Sequence, residues 1–312
     1  MKIIHGPTYR YQGERLTAPN IIVVQDHHFD PASGYALQRL LDESTCPPHQ
    51  HLLVFDHILV QDEFSKYPHV CLPLLMAAEC MEFNSAEIVP VWGERDCAFN
   101  FMINKPRLNR LLLLDMVHDL ALSSYRHSLC WIQDYKSITA TNYTFGDEIK
   151  MDQGIRSGSH KNSSNYREHL KRSIFERSCV SLITEPGFHE RETIITEKTI
   201  MAIWGGTLPI WVGGWRCAEV MKQFGFDVFE DVVDHSYQTL PDPVDRCRQA
   251  IERNRHLLDV PMDLSLFSDR LTHNLVLLQQ NVFLTRICDI LHEYPQLKPV
   301  VQTFRNGLLG QR

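Results

Sequence analysis

The sequence predicts an α/β protein of the doubly wound kind, and three observations carry that prediction. Short apolar runs of strand length alternate with helical patterns along most of the chain. The segment from Arg177 to Trp215, RSCVSLITEPGFHERETIITEKTIMAIWGGTLPIWVGGW, reads as strand, loop, helix and second strand. The length of 312 residues suits about two domains by the ~150-residue norm.

The segment from Arg177 is the most explicit. Cys179 to Thr184 is an unbroken apolar run, the pattern of a strand covered on both faces. Thr196 stands where it can cap a helix beginning near Glu197, and Gly205-Gly206 closes that helix. Leu208 to Val212 then reads as a second parallel strand, giving a βαβ unit of the usual ~30-residue size. Ligands of such units sit at the carboxyl ends of the strands, where helix N-termini present N–H groups to phosphate. This is the candidate nucleotide site.

Upstream, Asn20 to Gln25 reads as a strand, as does the run ending at Asp56, with another start at His57. EIVPVW (Glu87 to Trp92) and AFNFMI (Ala98 to Ile103) read as further strands. Arg107 to Ser123 is strongly helical, with leucines on most faces, so it is expected to be buried. The polar stretch 150–167 marks a loop, and the domain boundary is placed beside it: residues 1–155 form one Rossmann-like domain and 156–312 the other. Downstream, Cys217 to Phe224 reads as a helix, DVFEDVV as a strand, and Asp242–Leu257 and Leu264–His292 as long helices.

Composition bounds the function. With 44% apolar and 22% charged residues the chain is an ordinary globular protein. A net charge of −7 argues against general nucleic-acid binding, which needs a dense basic surface. Nine cysteines without a CxxC pair read as reduced core thiols. The first residues carry no apolar signal core and no stretch of about 18 apolar residues follows, so a cytoplasmic location is the expectation.

The residues ITEKTIMAIWGGTLPIWVGG resemble the donor-binding signature of family-10 glycosyltransferases, the α-1,3-fucosyltransferases. Ile195-Thr196-Glu197-Lys198, Gly206-Thr207, Pro209 and Gly213 match its order. The strand VSLITE stands where the family has an apolar strand ending Phe-Glu-Asn; Glu185 keeps the acid, whereas Pro186 replaces the asparagine. Ile194 stands where bacterial relatives often carry tyrosine. FNFMINKPRLNR resembles the family's strand, loop and helix start, placing Arg110 at a donor-phosphate arginine, with Lys105 a second candidate. DHILVQDEFSKYPHVCLPLLMA resembles the segment that carries the general base and places Glu63 there, with Asp62 and Glu94 in reserve.

The resemblance implies a GT-B arrangement, two Rossmann-like domains across a cleft with C-terminal helices. It implies an inverting, metal-independent transfer of a sugar, with fucose from GDP-fucose the leading donor, to a glycan hydroxyl. The alternatives are another nucleotide-diphosphate sugar in the same fold, or a catalytically silent glycan- or nucleotide-binding protein. No cofactor is expected beyond the nucleotide-sugar co-substrate. Lys198 and Arg110 would answer the charge gathering on the departing diphosphate, aided by the helix terminus at Thr196. Glu197 would accept hydrogen bonds from donor hydroxyls, Glu185 would help form the donor site, and Glu63 would take the acceptor proton. His27, His28 and Asp30 form one short cluster without spaced partners and read as loop residues rather than metal ligands.

Overall fold

A computed structural model of the chain describes residues 2–6, 20–24, 40–55, 67–84, 93–103, 108–120, 122, 125–129, 139–140, 143–144, 175, 177–185 and 193–310. In chain order these contain β1 (Lys2–Gly6), β2 (Asn20–Val24), β3 (Leu52–Phe55), β4 (His69–Cys71), α1 (Leu74–Asn84), β5 (Cys97–Ile103), α2 (Leu108–Asp119) and β6 (Tyr125–Leu129). The short pair β7 (Thr139–Ala140) and β8 (Tyr143–Thr144) follows, then β9 (Ser178–Ile183), α3 (Glu197–Trp204), β10 (Leu208–Trp211) and α4 (Cys217–Gln223). Four further helices end the chain: α5 (Pro243–Arg253), α6 (Ser268–Gln279), α7 (Val282–Glu293) and α8 (Lys298–Gly310).

The protein is α/β, built on two four-stranded parallel sheets. The first runs β1-β2-β3-β4 in simple order; the second runs β10-β9-β5-β6. In the second, the chain leaves β5 for β6 on one side and returns to β9 on the other. That reversal is a topological switch point, and the crevice it opens lies at the carboxyl ends of β5 and β9.

The second sheet draws β5 and β6 from the half of the chain assigned above to the first domain. The Cys97–Ser178 and Phe99–Val180 pairings bind residues on either side of the 155/156 boundary into one ladder. The physical reason is the burial of β9: all six of its residues are buried, so it needs a partner on each edge, and β10 supplies only one. Fully burying aliphatic side chains such as Val180 and Leu182 stabilises the sheet by about 1.5–3 kcal/mol each.

Local chemistry fixes the βαβ unit as expected. Thr196 is extended (φ −127°, ψ −173°) and its hydroxyl caps α3 by accepting from Lys198 N–H. At the other end Gly206 takes φ +62°, Gly206 N–H bonds Ile203 O at 3.0 Å and Thr207 N–H bonds Ala202 O at 3.1 Å, a Schellman closure. Gly205 is required for a different reason, since a Cβ there would run into the Phe175 side chain. Arg95, buried at the amino end of the sheet, donates to Ser178 O at 2.7 Å, to Gly205 O at 3.2 Å and to Phe175 O, satisfying carbonyls of three segments.

Further expectations differ from the structure. DVFEDVV is irregular chain running into a turn rather than a strand, because Phe229 adopts φ +61° and Asp227 accepts its N–H at 2.8 Å, while Arg270 bridges Asp227 and Asp231. The long helix expected over Leu264–His292 is broken. Its first turn is 3-10, and after α6 Asn281 adopts φ +50°, accepts Leu284 N–H at 3.1 Å and donates to Ala77 O at 2.8 Å. Asn281 thus caps α7 and pins it to α1 together. The eight cysteines among the described residues form no disulfide, and no described helix is long and apolar enough to cross a membrane.

The Asn281 arrangement gives a test. Asn281→Ala loses the cap, the buried bond to Ala77 and the side chain that tolerates the left-handed backbone. Its unfolding free energy should fall by about 2–4 kcal/mol, read from the denaturant midpoint at unchanged slope.

Candidate functional site

The carboxyl end of β9 delivers Glu185 to the switch point. Its carboxylate is buried, at 2% exposure, and is surrounded by donors from the start of α3. Oε1 accepts from Thr196 N–H at 2.9 Å and from the Thr199 hydroxyl at 2.7 Å; Oε2 accepts from the Thr196 hydroxyl. The Lys198 ammonium lies 3.8 Å from Oε2. Trp211 of β10 joins the same network, its indole N–H donating to Thr199 Oγ1 at 2.9 Å. Glu185 is therefore the internal anchor of the site, its lone pairs taken up by protein donors.

Lys198 and Glu197 occupy the first turn of α3 and are half-buried. Lys198 Nζ meets Glu197 Oε1 at 2.9 Å and Thr196 Oγ1 at 3.0 Å. Burial works against ionisation of Glu197, but the adjacent Lys198 ammonium and hydrogen bonds from the Glu197 backbone and Thr196 together outweigh it and hold the carboxyl at about 2. One ammonium thus stands beside two carboxylates, so incoming phosphate oxygens would compete with Glu197 for Lys198.

The helix on the other side of the crevice carries Asn109 and Arg110 in its first turn, both buried. Asn109 Nδ2 donates to Glu185 O at 2.9 Å, which ties the first turn of α2 to the end of β9. Asn109 Oδ1 and Thr184 Oγ1 are buried without a hydrogen-bond partner among the described residues, two unsatisfied polar atoms on the residues flanking this junction. The structure thus brings Arg110, Glu185, Thr196, Glu197 and Lys198 to one end of one sheet.

Other candidates fall elsewhere. Glu63, Asp62, Lys105, Pro186, His27, His28 and Asp30 lie outside the described residues. Glu94 is exposed and forms a bridge with Asp263 before the start of β5, at the amino edge of the sheet. The seven residues of β5 put it about 20 Å from the crevice, so it cannot serve as the base there. Ile194 is a core residue, buried with Ile22, Leu53 and Phe55 of the first sheet. Trp215 packs under Arg246, whose guanidinium carbon is 5.4 Å from the ring centroid, and accepts the Thr193 hydroxyl at its carbonyl. Among the described residues no three His, Cys, Asp or Glu side chains gather as metal ligands.

Sequence reasoning missed His235 and Tyr237, which brace the carboxyl end of β10. The Tyr237 hydroxyl donates to Trp211 O at 3.0 Å, and the His235 ring lies 5.5 Å from the Trp211 ring. His235 Nε2–H donates to Val228 O at 2.8 Å, leaving Nδ1 to accept from Gln238 Nε2 at 3.2 Å. Burial lowers the imidazole pKa below its ordinary 6.5. The bonds in place suit the neutral ring.

Two predictions follow from these environments. Glu185→Ala leaves the Thr196 and Thr199 donors unsatisfied in the interior and should cost about 2–4 kcal/mol in chemical unfolding, whereas the half-buried Glu197→Ala at neutral pH should cost about 1 or less. His235 supplies stability that is complete above its unfolded value of 6.5 and is lost as pH falls through its lower folded value. The thermal midpoint should therefore drop between pH 7.5 and 5.5, and His235→Gln should flatten the drop, leaving the share of His51, also lowered by burial.

Comparison with protein-family models, with curated proteins and with solved structures finds no significant match to this chain.

Proposed function

We propose that the chain is a GT-B glycosyltransferase that moves a sugar from a nucleotide-diphosphate donor to a glycan hydroxyl with inversion, GDP-fucose being the leading donor. The observation that carries the reading is the placing of Arg110 and Lys198 at the carboxyl-end crevice of a switch-point sheet, next to the N-terminus of α3. Open α/β sheets bind their ligands in that crevice. The two cations and the N–H groups of the helix start would face a diphosphate there. The resemblance of ITEKTIMAIWGGTLPIWVGG to the family-10 donor signature adds the sugar chemistry.

In this reading the acceptor oxygen attacks the anomeric carbon from the face opposite the diphosphate. The bond from that carbon to the phosphate oxygen breaks, and the acceptor proton passes to the Glu63 carboxylate. Arg110 and Lys198 hold the charge of the departing nucleoside diphosphate, and Lys198 exchanges Glu197 for phosphate oxygen as the donor binds. Glu185 orients the Thr196–Lys198 turn and does not itself touch the donor. On this reading the two parallel sheets would stand for the two GT-B halves, with β5 and β6 in the donor half. No metal is needed where two cationic side chains already answer the diphosphate.

A second reading, nucleotide binding without transfer, is favoured by the two carboxylates already beside Lys198. A panel of GDP, UDP, CMP and their sugars separates the two. GDP should raise the thermal midpoint most, since a ligand of the native state stabilises it. By calorimetry, Lys198→Met and Arg110→Lys should each weaken GDP binding by about tenfold or more. Glu63→Ala should retain GDP binding and lose most of kcat in a transfer assay. Unchanged affinity in both cation variants removes their assigned role, and saturable nucleotide binding without turnover of any donor selects the second reading.

A further inference from the structure

A separate cleft of about 870 Å³ opens beside the carboxyl end of β10, between the start of α4, the 230–239 segment and the end of α5. Trp211 is the partition between it and the Glu185 network. Its indole N–H bonds Thr199 on one side, while its ring lies against His235, which lines the cleft, on the other. The volume is in the range that holds small organic ligands, about 300–1,000 Å³.

The cleft has a fixed floor. Ala218, Val233 and Gln238 are buried beneath it. Gln238 Oε1 accepts the Ala218 N–H at 3.0 Å, its Nε2 reaches His235, and Tyr237 next to it is bonded to Trp211 O. Such a floor is formed before any ligand arrives, which lowers the ordering cost of binding.

The walls carry charge that is cancelled locally. Arg216 pairs with Glu219, and Lys222 Nζ meets both oxygens of Glu230 at 2.8 Å. Asp231 is held by Arg270, which stands outside the cleft, and Asp234 accepts Ser236 N–H at 2.8 Å in the field of Arg253. No single-sign field remains to select a phosphate or an ammonium. Neither Trp211 nor Tyr237 presents an open ring face to a nucleobase, at 1% and 0% exposure. What the walls do offer is donors and acceptors already strung together: the Arg253 guanidinium donates to the Ser236 hydroxyl, which donates to Asp234, and the Thr239 hydroxyl donates to Ser236 O at 3.1 Å. Spare hydroxyl lone pairs, the second Asp234 oxygen and further guanidinium N–H groups thus stand side by side with the His256 imidazole. A ring of hydroxyls, each able to donate and to accept, is the ligand this alternation fits.

We propose that this cleft is a binding site for a neutral saccharide, distinct from the switch-point crevice and independent of whether the chain transfers sugar. Amide NMR titration with maltotriose, lactose and chitobiose, with inorganic phosphate as the comparison, tests it. At least one saccharide should saturate with a dissociation constant of about millimolar, shifting amides in 216–239 and not those of 193–198. Thr239→Trp, which fills the cleft, and Arg253→Ala, which removes a donor, both replace exposed residues. Each should weaken binding at least fivefold with the amide spectrum otherwise retained. Absence of saturable saccharide binding in the wild-type protein overturns the proposal. So do shifts confined to 193–198, phosphate saturating where no saccharide does, or affinity unchanged in both variants.

Discussion

The hydrogen bonds gathered by the Glu185 carboxylate hold the architecture of the crevice. A carboxylate at 2% exposure is tolerable in a protein interior only when its lone pairs are met. Here they are met by one backbone N–H and two hydroxyls, all from the first turn of α3 or its cap. That requirement dictates the extended backbone of Thr196 and the direction in which α3 sets out. Through Thr199 it also fixes the Trp211 indole, and so the relation of β9 to β10 at their carboxyl ends. The groups that face the crevice, Glu197 and Lys198, have their positions because Glu185 has already used the groups around them.

This division of labour sorts the acids of the site by environment. Glu185 is enclosed by donors and acts on the protein; Glu197, half-buried and paired with Lys198, stays partly open to solvent. The two residues look alike in the sequence, as acids flanking one loop. Only burial tells them apart. The same holds for the tryptophans, since Trp204 and Trp211 are core residues while Trp215 is covered by a guanidinium.

Much of the second sheet was legible because its signals are local. The apolar run of β9, the Thr196 cap and the Gly205-Gly206 closure each specify their structure within a few residues. What was not legible depends on distant partners. That β5 joins β9 rather than the strands before it is decided by edges left bare elsewhere, and no pattern within β5 announces it. The turn at Phe229 needs Arg270, and the break at Asn281 draws on a carbonyl of α1; both partners are far away in the chain. β1, β4 and β6 passed unremarked because KIIHG, HVC and YRHSL mix polar with apolar residues, so no unbroken apolar run marks them. In the crevice, the positions of Lys198 and Arg110 at two helix starts follow from local strand-to-helix patterns, whereas the Trp211–His235–Tyr237 brace leaves no spacing signature.

The residues just before the cap of α3 are stitched in two directions. The Thr193 hydroxyl holds the carbonyl of Trp215, which follows β10, while the next side chain, Ile194, is sunk among residues of β2 and β3. Two residues later the chain reaches Thr196. A link this short has no slack, because each residue spans at most about 3.6 Å. The seam between the sheets is therefore a tether rather than a hinge. Any sliding of the first sheet against the second would be felt as tension at the helix cap, so the crevice is mechanically aware of a part of the molecule that contributes none of its described polar groups.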